Sequence, residues 1–232
     1  MKSGGRPAES PTNFAAIPQN SHRIVFLVSM ARPRAFDLDE ALEKAQAVFW
    51  ERGYASTTTA DLAAAMGIQK GSLFHAFGDK RSLFIQALTR YLDRGTQGLS
   101  DRLDGAEDPL LALQGWVEEK AARCATPEGR MGCFGVNSSI GLAARDPELA
   151  QVMADYWGKV WTLCTQAIQT AQEKGWVRED QEARSLAHLV MIHLAGMNVI
   201  ARQGLATDCL RGSSQALFDG FRPSAVPAHP AG

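Results

Sequence analysis

The side chains with the most reactive chemistry in this chain are four cysteines, Cys124, Cys133, Cys164 and Cys209, and two histidines near the C-terminal end, His188 and His193. Metal or redox work needs such groups paired. The cysteines form no CxxC pair and have no His-x-x-x-His partner, and histidines five residues apart point to different faces of a helix. No metal site, disulfide framework or cofactor is therefore expected. Around Cys133 or His188 the sequence offers no set of nucleophile, base and orienting group. It also has no phosphate-cradling glycine loop and no paired catalytic carboxylates, so an enzyme is not expected. The densest remaining cluster is Lys70-Gly71-Ser72 with His75. Here a flexible cation suits a phosphate or a guanine, a glycine permits close approach, and a hydroxyl can bond a phosphate or a base edge. His75 is open between such a contact and a partly buried packing role.

Short helices must position that cluster. From Asp37 onward Leu38, Leu42, Ala45 and Phe49 recur at helical spacing; Asp37 with Glu40 resembles a capping box, and Gly53 supplies the stop. A second helix follows Thr57 or Thr58 and runs to about Met66, with Asp61 in its first turn. Gly67 breaks it. A third covers about Lys70 to Phe77 with Leu73 and Phe77 facing inward, and Gly78-Asp79 leads into a fourth starting at Lys80. Two short helices separated by a glycine turn are what a helix-turn-helix needs: the first braces, the second enters the major groove. Thr57 or Thr58 and Lys80 lie at helix N-termini, where free amides favour phosphate.

The run Thr57-Thr58-Thr59-Ala60-Asp61-Leu62-Ala63-Ala64-Ala65-Met66-Gly67-Ile68-Gln69-Lys70-Gly71-Ser72-Leu73-Phe74-His75-Ala76-Phe77-Gly78-Asp79-Lys80 resembles the DNA-binding domain of the TetR family of transcription regulators. The likeness extends upstream through Phe49-Trp50-Glu51-Arg52-Gly53-Tyr54 and covers about residues 31–92. It implies that Lys70, Gly71, Ser72, Phe74 and His75 lie on or at the start of the reading helix, with Thr57 or Thr58 and Lys80 clamping the DNA backbone. Two positions depart from the family pattern. Gln69 stands where a capping Ser is frequent, and Phe74 stands where a phosphate-binding Tyr is common, so Phe74 is expected to stack or to meet a thymine methyl. Arg32 and Arg34 flank Pro33 ahead of the first helix, either as an arm reaching a phosphate or the minor groove or as a solvated charge pair.

Beyond Arg94 the glycine-bearing segment to Pro109 reads as a joint. Helices are expected over about Leu110–Ala125, Cys133–Ala144, 146–175, Asp180–Arg202 and Thr207–Phe221, giving an all-α chain: an N-terminal three-helix helix-turn-helix domain plus a C-terminal helical ligand-binding and dimerisation domain. The expected boundaries are 1–30 for a disordered leader, 31–92 for the DNA-binding domain, 93–222 for the second domain and 223–232 for a disordered tail. One reading helix per protomer calls for two on a palindrome, placed about 34 to 36 Å or a multiple apart, hence a homodimer. The resemblance implies a four-helix bundle made by the last two helices of each copy, with Ala183, Leu186, Ala187, Val190, Leu194, Met197 and the small Ala195 and Gly196 suited to close packing.

Candidates to line a pocket for a small-molecule effector are Trp116, Cys133, Phe134, Asn137, Met153, Trp157, Trp161 and Met191, with plain core packing as the alternative. His188 and His193 read as pocket or packing residues. Cys133 follows Arg130 at a predicted helix start, where a positive dipole end can lower a thiol pKa. The segment Arg130-Met131-Gly132-Cys133-Phe134-Gly135-Val136-Asn137 is similar to one in some TetR-type regulators, including electrophile-sensing ones; a structural cysteine is the alternative. The expected function is a repressor that releases a palindromic operator on binding a small molecule through a population shift, with an effector-blind regulator or a thiol sensor as alternatives.

At 232 residues the chain is long enough for a small and a larger domain, and its 24 Lys and Arg against 25 Asp and Glu leave a net charge of -1. Any surface for a polyanion must therefore be local. The early apolar stretch Ile24 to Met30 is far shorter than the roughly 20 residues a bilayer span needs, and no cleavage site follows it. A cytoplasmic protein with no membrane partner is expected. Met30-Ala31-Arg32-Pro33-Arg34 resembles the start of a folded protein, so Met30 is a candidate initiator beside Met1, a choice that the intact mass from the native host decides.

Overall fold

A computed structural model describes residues 36–142, 145–204 and 207–223; the expected leader, Arg32, Arg34 and nearly all of the expected tail lie outside them. The described residues form helices and no strand. The first four are α1 (Leu38–Arg52), α2 (Thr59–Met66), α3 (Lys70–Phe77) and α4 (Lys80–Leu103). After these come α5 (Pro109–Cys124), a 3₁₀ turn (Glu128–Met131), α6 (Phe134–Gly141), α7 (Pro147–Glu173), α8 (Ala183–Arg202) and α9 (Thr207–Asp219).

Each early boundary has a local chemical cause. Asp37 caps α1 by accepting from the amides of Asp39 and Glu40, at 2.7 and 3.1 Å. The return half of the expected capping box does not form there, because Glu40 pairs one turn on with Lys44 at 2.7 Å. The complete box sits at α2. Thr58 Oγ1 accepts from the Asp61 amide at 3.1 Å and the Thr58 amide donates to Asp61 Oδ2 at 2.9 Å, an exchange that satisfies two otherwise orphaned donors. Gly67 ends α2 with φ at 68°, a left-handed turn that a residue with a Cβ adopts only at a cost.

The glycine-bearing stretch after Arg94 is a joint only over residues 104–108, between α4 and α5, and is helical as far as Leu103. Its helical part continues α4 for 24 residues in all, about 36 Å at helical rise, so one rod carries the helix-turn-helix at its start and the larger helical layer along its length. The expected break at residue 92 thus falls inside a helix. Two further ties bind the reading unit to the rest. Arg81 on α4 forks onto Asp146 at 2.8 and 2.7 Å and reaches Glu148 at 2.6 Å, both beside the start of α7; the fork and the capped amides hold the Asp146 carboxyl down to about 2. The apolar core of α1 to α4 also continues into α6 and α7 through Phe134, Leu149 and Met153. Phe134 packs edge-on to Phe84 and to Tyr91, with ring centroids 5.6 and 5.8 Å apart.

The second core lies between α5, α7, α8 and α9, with Leu113, Val160, Ile168, Ala187, Val190 and Phe218 fully enclosed. This corrects one expectation. Leu186, Ala187, Val190, Leu194 and Met197, assigned to packing between two copies, face this internal core. The outward side of α8 instead carries Leu189, Ile192, Gly196 and Val199, all exposed.

Candidate DNA-reading face and inner cavity

Helix α3 is held by two residues and presents the others. Leu73 is fully buried and Phe77 nearly so, while Lys70, Gly71, Ser72, Phe74 and His75 are all exposed. The surface between them is cationic to neutral, since the helix has no acidic residue. Phe74 leaves 47% of its area in water, an unfavourable position for a phenyl ring in an isolated chain and a natural one for a surface that docks. A Cβ built on Gly71 meets nothing within 4 Å, so the packing of this chain does not require a glycine there. His75 stands on the outer face, which removes the packing alternative. Lys80 lies at the start of α4 with its ammonium 4.4 Å from the centre of the Tyr54 ring, a contact that restrains the cation beside the reading helix.

Thr57 does not belong to this face. It is 1% exposed and its hydroxyl donates to the Gly53 carbonyl at 2.7 Å, because the turn after α1 needs that carbonyl satisfied. Thr58 is exposed, yet its hydroxyl is committed to Asp61, donating to Oδ2 at 2.6 Å. The start of α4 is likewise capped by Asp79, which accepts from the Ser82 amide at 2.7 Å. Both helix starts carry their own carboxylate, Asp61 and Asp79, which already answers the free amides expected to favour phosphate there.

A cavity of about 280 Å³ lies among α4 to α8. Of the expected pocket residues Trp116, Cys133 and Trp157 line it, joined by Tyr91, Lys120, Arg123, Cys124, Tyr156 and Asn198. The Tyr91 hydroxyl donates to Cys133 Sγ at 3.5 Å, and Cys124 Sγ donates to Asn198 Oδ1 at 3.6 Å. Burial pushes the Tyr91 and Tyr156 phenols and the Cys124 thiol upward, so all three remain protonated donors near neutrality. Lys120 is shifted the other way, first by burial and then by the like charge of Arg123.

The other pocket candidates lie elsewhere. Phe134 and Asn137 border a separate cleft between the end of α1 and α6, and Asn137 Nδ2 is spent on the Met131 carbonyl at 2.7 Å. Met153 is core. Trp161 stacks on His188 with centroids 5.2 Å apart, and Met191 borders an open apolar groove with Ile140, Ile192 and Val199. Helical periodicity places such residues on a face but does not reveal which neighbour covers it. Lys120 was legible only as one more solvated lysine, although its spacing of four from Trp116 puts both on one side of α5.

His193 takes a packing role, with Nε2 2.9 Å from Ser214 Oγ, tying α8 to α9. Burial depresses its pKa below the ordinary 6.5. The folded chain therefore binds fewer protons than the unfolded one as pH falls below 6.5, and stability drops in that window while it is fully present above it. Thermal unfolding followed from pH 7.5 to 5.5 will show a steeper loss of Tm in the native chain than in His193→Gln, whose amide keeps a bond to Ser214 without titrating. No group of three or more metal-ligating side chains occurs among the described residues.

Comparison with known proteins fits this geometry. A family model described as bacterial regulatory proteins, tetR family, matches residues 41–87. The repressor ComR of Escherichia coli is 28% identical over 183 residues, 78% of this chain and 87% of that one. A structure of the TetR family transcriptional regulator CifR, a cysteine mutant bound to 26-base-pair operator DNA, is 30% identical with a TM-score of 0.71, covering 81% of this chain and 98% of that one. The chain belongs to the TetR family. Escherichia coli NemR in its reduced form shares the fold at 18% identity, with a TM-score of 0.73 over 81% of this chain and 98% of that chain. As a TetR-family member the chain is a DNA-binding transcription regulator and not an enzyme, and α2 to α3 is its helix-turn-helix.

Proposed function

We propose that this regulator is a cytoplasmic homodimeric repressor that binds a palindromic operator through α3 and releases it when a small molecule fills the cavity between α4 and α8. The carrying observation is the outer face of α3, where Lys70, Gly71, Ser72, Phe74 and His75 stand exposed together over a buried Leu73 and Phe77. Lys80 is assigned to the DNA backbone, and the curated relative ComR is itself named a repressor. Dimerisation is supported by α8, the one described helix long and apolar enough to cross a membrane. Its inner side belongs to the protein core while Leu189 and Ile192 stand 47% and 68% exposed on the other. A second copy covers such a face at no cost in charge burial. The cavity is bounded by α4, which also carries the reading unit. A ligand that prefers one tilt of α4 would thus shift the spacing of the two reading helices, and only differential affinity for the two arrangements can drive that shift.

Selection of duplexes from a random pool by the purified chain tests the reading. The expected product is an inverted repeat whose half-site centres lie about 34 to 36 Å or a multiple apart, with affinity falling linearly against log salt. Ile192→Asp should give a monomer that no longer retains the repeat. Recovery of a single half-site bound by a monomer would remove the dimer, and binding with no sequence preference would remove the operator.

A thiol reading has one observation of its own: Cys133, half-buried at the N-cap of α6, lines the cavity with the Tyr91 hydroxyl on its sulfur. Addition of that sulfur to N-ethylmaleimide, the thiol proton ending on the neighbouring carbon, would fill the same space. Operator release by the reagent that persists in Cys133→Ser discards it.

A further inference from the structure

The lining of the inner cavity is unbalanced in charge. Three cations, Arg94, Lys120 and Arg123, contribute to it, and no Asp or Glu does. Arg94 is already turned to Glu43, 2.6 Å away on α1. Lys120 is not so well served. Its side chain is 24% accessible, and its nearest carboxylate is that of its own neighbour Glu119 at 3.9 Å. Glu119 is in turn drawn to Arg102, at 2.8 Å. Arg123, one turn further on, has no ion-pair partner among the described residues. A half-buried ammonium under the field of a second cation is costly to keep charged, and a bound anion relieves that cost.

A second, independent observation points the same way. Trp116 lines the cavity, is 4% exposed, and its buried indole N–H has no hydrogen-bond partner among the described residues. A buried donor without an acceptor is uncommon in folded proteins. The Lys120 ammonium lies 5.3 Å from the centre of the Trp116 ring, so the orphan donor and the underpaired cation belong to one corner. The rest of the lining supplies neutral donors and aromatic faces: Tyr91, Tyr156 and Trp157.

Resting on the reading of this cavity as the effector site, we propose that its ligand is an aromatic carboxylate, with the carboxylate held by Lys120, Arg123 and the Trp116 indole N–H and the ring enclosed by the tyrosines and Trp157. Size agrees with a single ring and a short arm. A dry cavity of about 150 Å³ accommodates benzene, and at that ratio about 280 Å³ holds about eleven non-hydrogen atoms, the size of 3-phenylpropanoate. A cation would be repelled, and a neutral hydrocarbon would leave both the ammonium and the indole N–H unanswered.

The test uses the full chain with phenylacetate and 3-phenylpropanoate and, in parallel, their primary amides, which match them in shape and lack the charge. All four are saturated at the arm and cannot alkylate Cys133. Binding is read by thermal shift and calorimetry, and operator release by fluorescence anisotropy. The carboxylates should bind about tenfold or more tighter than the amides, the size of effect expected of a charge-assisted hydrogen bond. Lys120→Met should shrink the difference several-fold, Lys120→Arg should keep it, and Trp116→Phe should weaken the carboxylates while keeping the aromatic wall. Equal or tighter binding of the amides overturns the proposal, as does no binding by either carboxylate. Neutral compounds that release the operator would leave the effector reading standing without the anion. Carboxylates that bind without changing operator affinity would leave the site standing without its effector role.

Discussion

Replacing Lys70 and Phe74 together by alanine will weaken specific operator binding by about 100-fold, on the basis that a good base or phosphate contact contributes about 1 to 3 kcal/mol and each 1.4 kcal/mol is tenfold. Folding will hardly notice. Both side chains point outward from α3, whose anchors Leu73 and Phe77 are untouched, and changes at such surface positions stay within about 0.5 kcal/mol. Anisotropy titrations at several salt concentrations also divide the effect. If Lys70 meets a phosphate, the single variant Lys70→Ala lowers the slope of log affinity against log salt by about 0.9 and weakens all sequences alike. If it meets a guanine, discrimination relaxes at one base pair. Phe74→Tyr is the complementary probe, restoring the hydroxyl common in the family. Unchanged affinity in the double variant would mean that α3 is not the reading element.

The largest loss of stability is expected from one methyl group, in Gly129→Ala. A Cβ at that position would stand 1.9 Å from the carbonyl oxygen of Arg123 and 2.8 Å from Cys124 Cα. Both obstacles are backbone, so neither can rotate away. The 3₁₀ turn Glu128–Met131 must lift off the end of α5, taking with it the approach to Cys133 and α6 and so one wall of the cavity. A cost of about 3 kcal/mol or more follows from forced overpacking, which for a domain of this size lowers Tm on the order of 10 °C. Gly98→Ala is the control. That residue is exposed in the interior of α4 with nothing within 4 Å of a built Cβ, so alanine there should stabilise the chain by about 0.5 to 1 kcal/mol. Calorimetry of the two variants beside the native chain measures both; a Gly129→Ala chain as stable as the native one would show that the turn has room the structure does not show.

Both expectations sit at places where local sequence and tertiary structure divide the work. The helix-turn-helix was legible because its signals are short-range. A threonine cap with an acid three residues on, a glycine at a left-handed turn and inward Leu73 and Phe77 all act within a few residues of one another, and α3 spans Lys70–Phe77 as its pattern predicts. Thr57 was the exception. Its neighbours Thr58 and Thr59 have the same chemistry, and only the fold of the turn onto Gly53 decides which of the three is buried.

The second domain was legible as helices and not as a site. Periodicity identified the apolar residues of α8 without saying which side meets its own chain, so the internal face was taken for the dimer face. Gly95 and Gly98 suggested a joint, yet α4 stays helical through them because Leu92 and Leu99 on either side are fixed in the two cores. Spacing alone gave no pairing among the four thiols and two histidines with which a chemical reading begins and left Cys133 open as a thiol, and it singled out the Lys70 to His75 cluster, whose Lys70, Gly71, Ser72, Phe74 and His75 stand exposed on α3. Which residues line the cavity was decided elsewhere, by five helices meeting. Lys120, Tyr91 and Tyr156 gain their meaning from desolvation and from one another's fields, and those exist only once residues far apart in sequence enclose the same space.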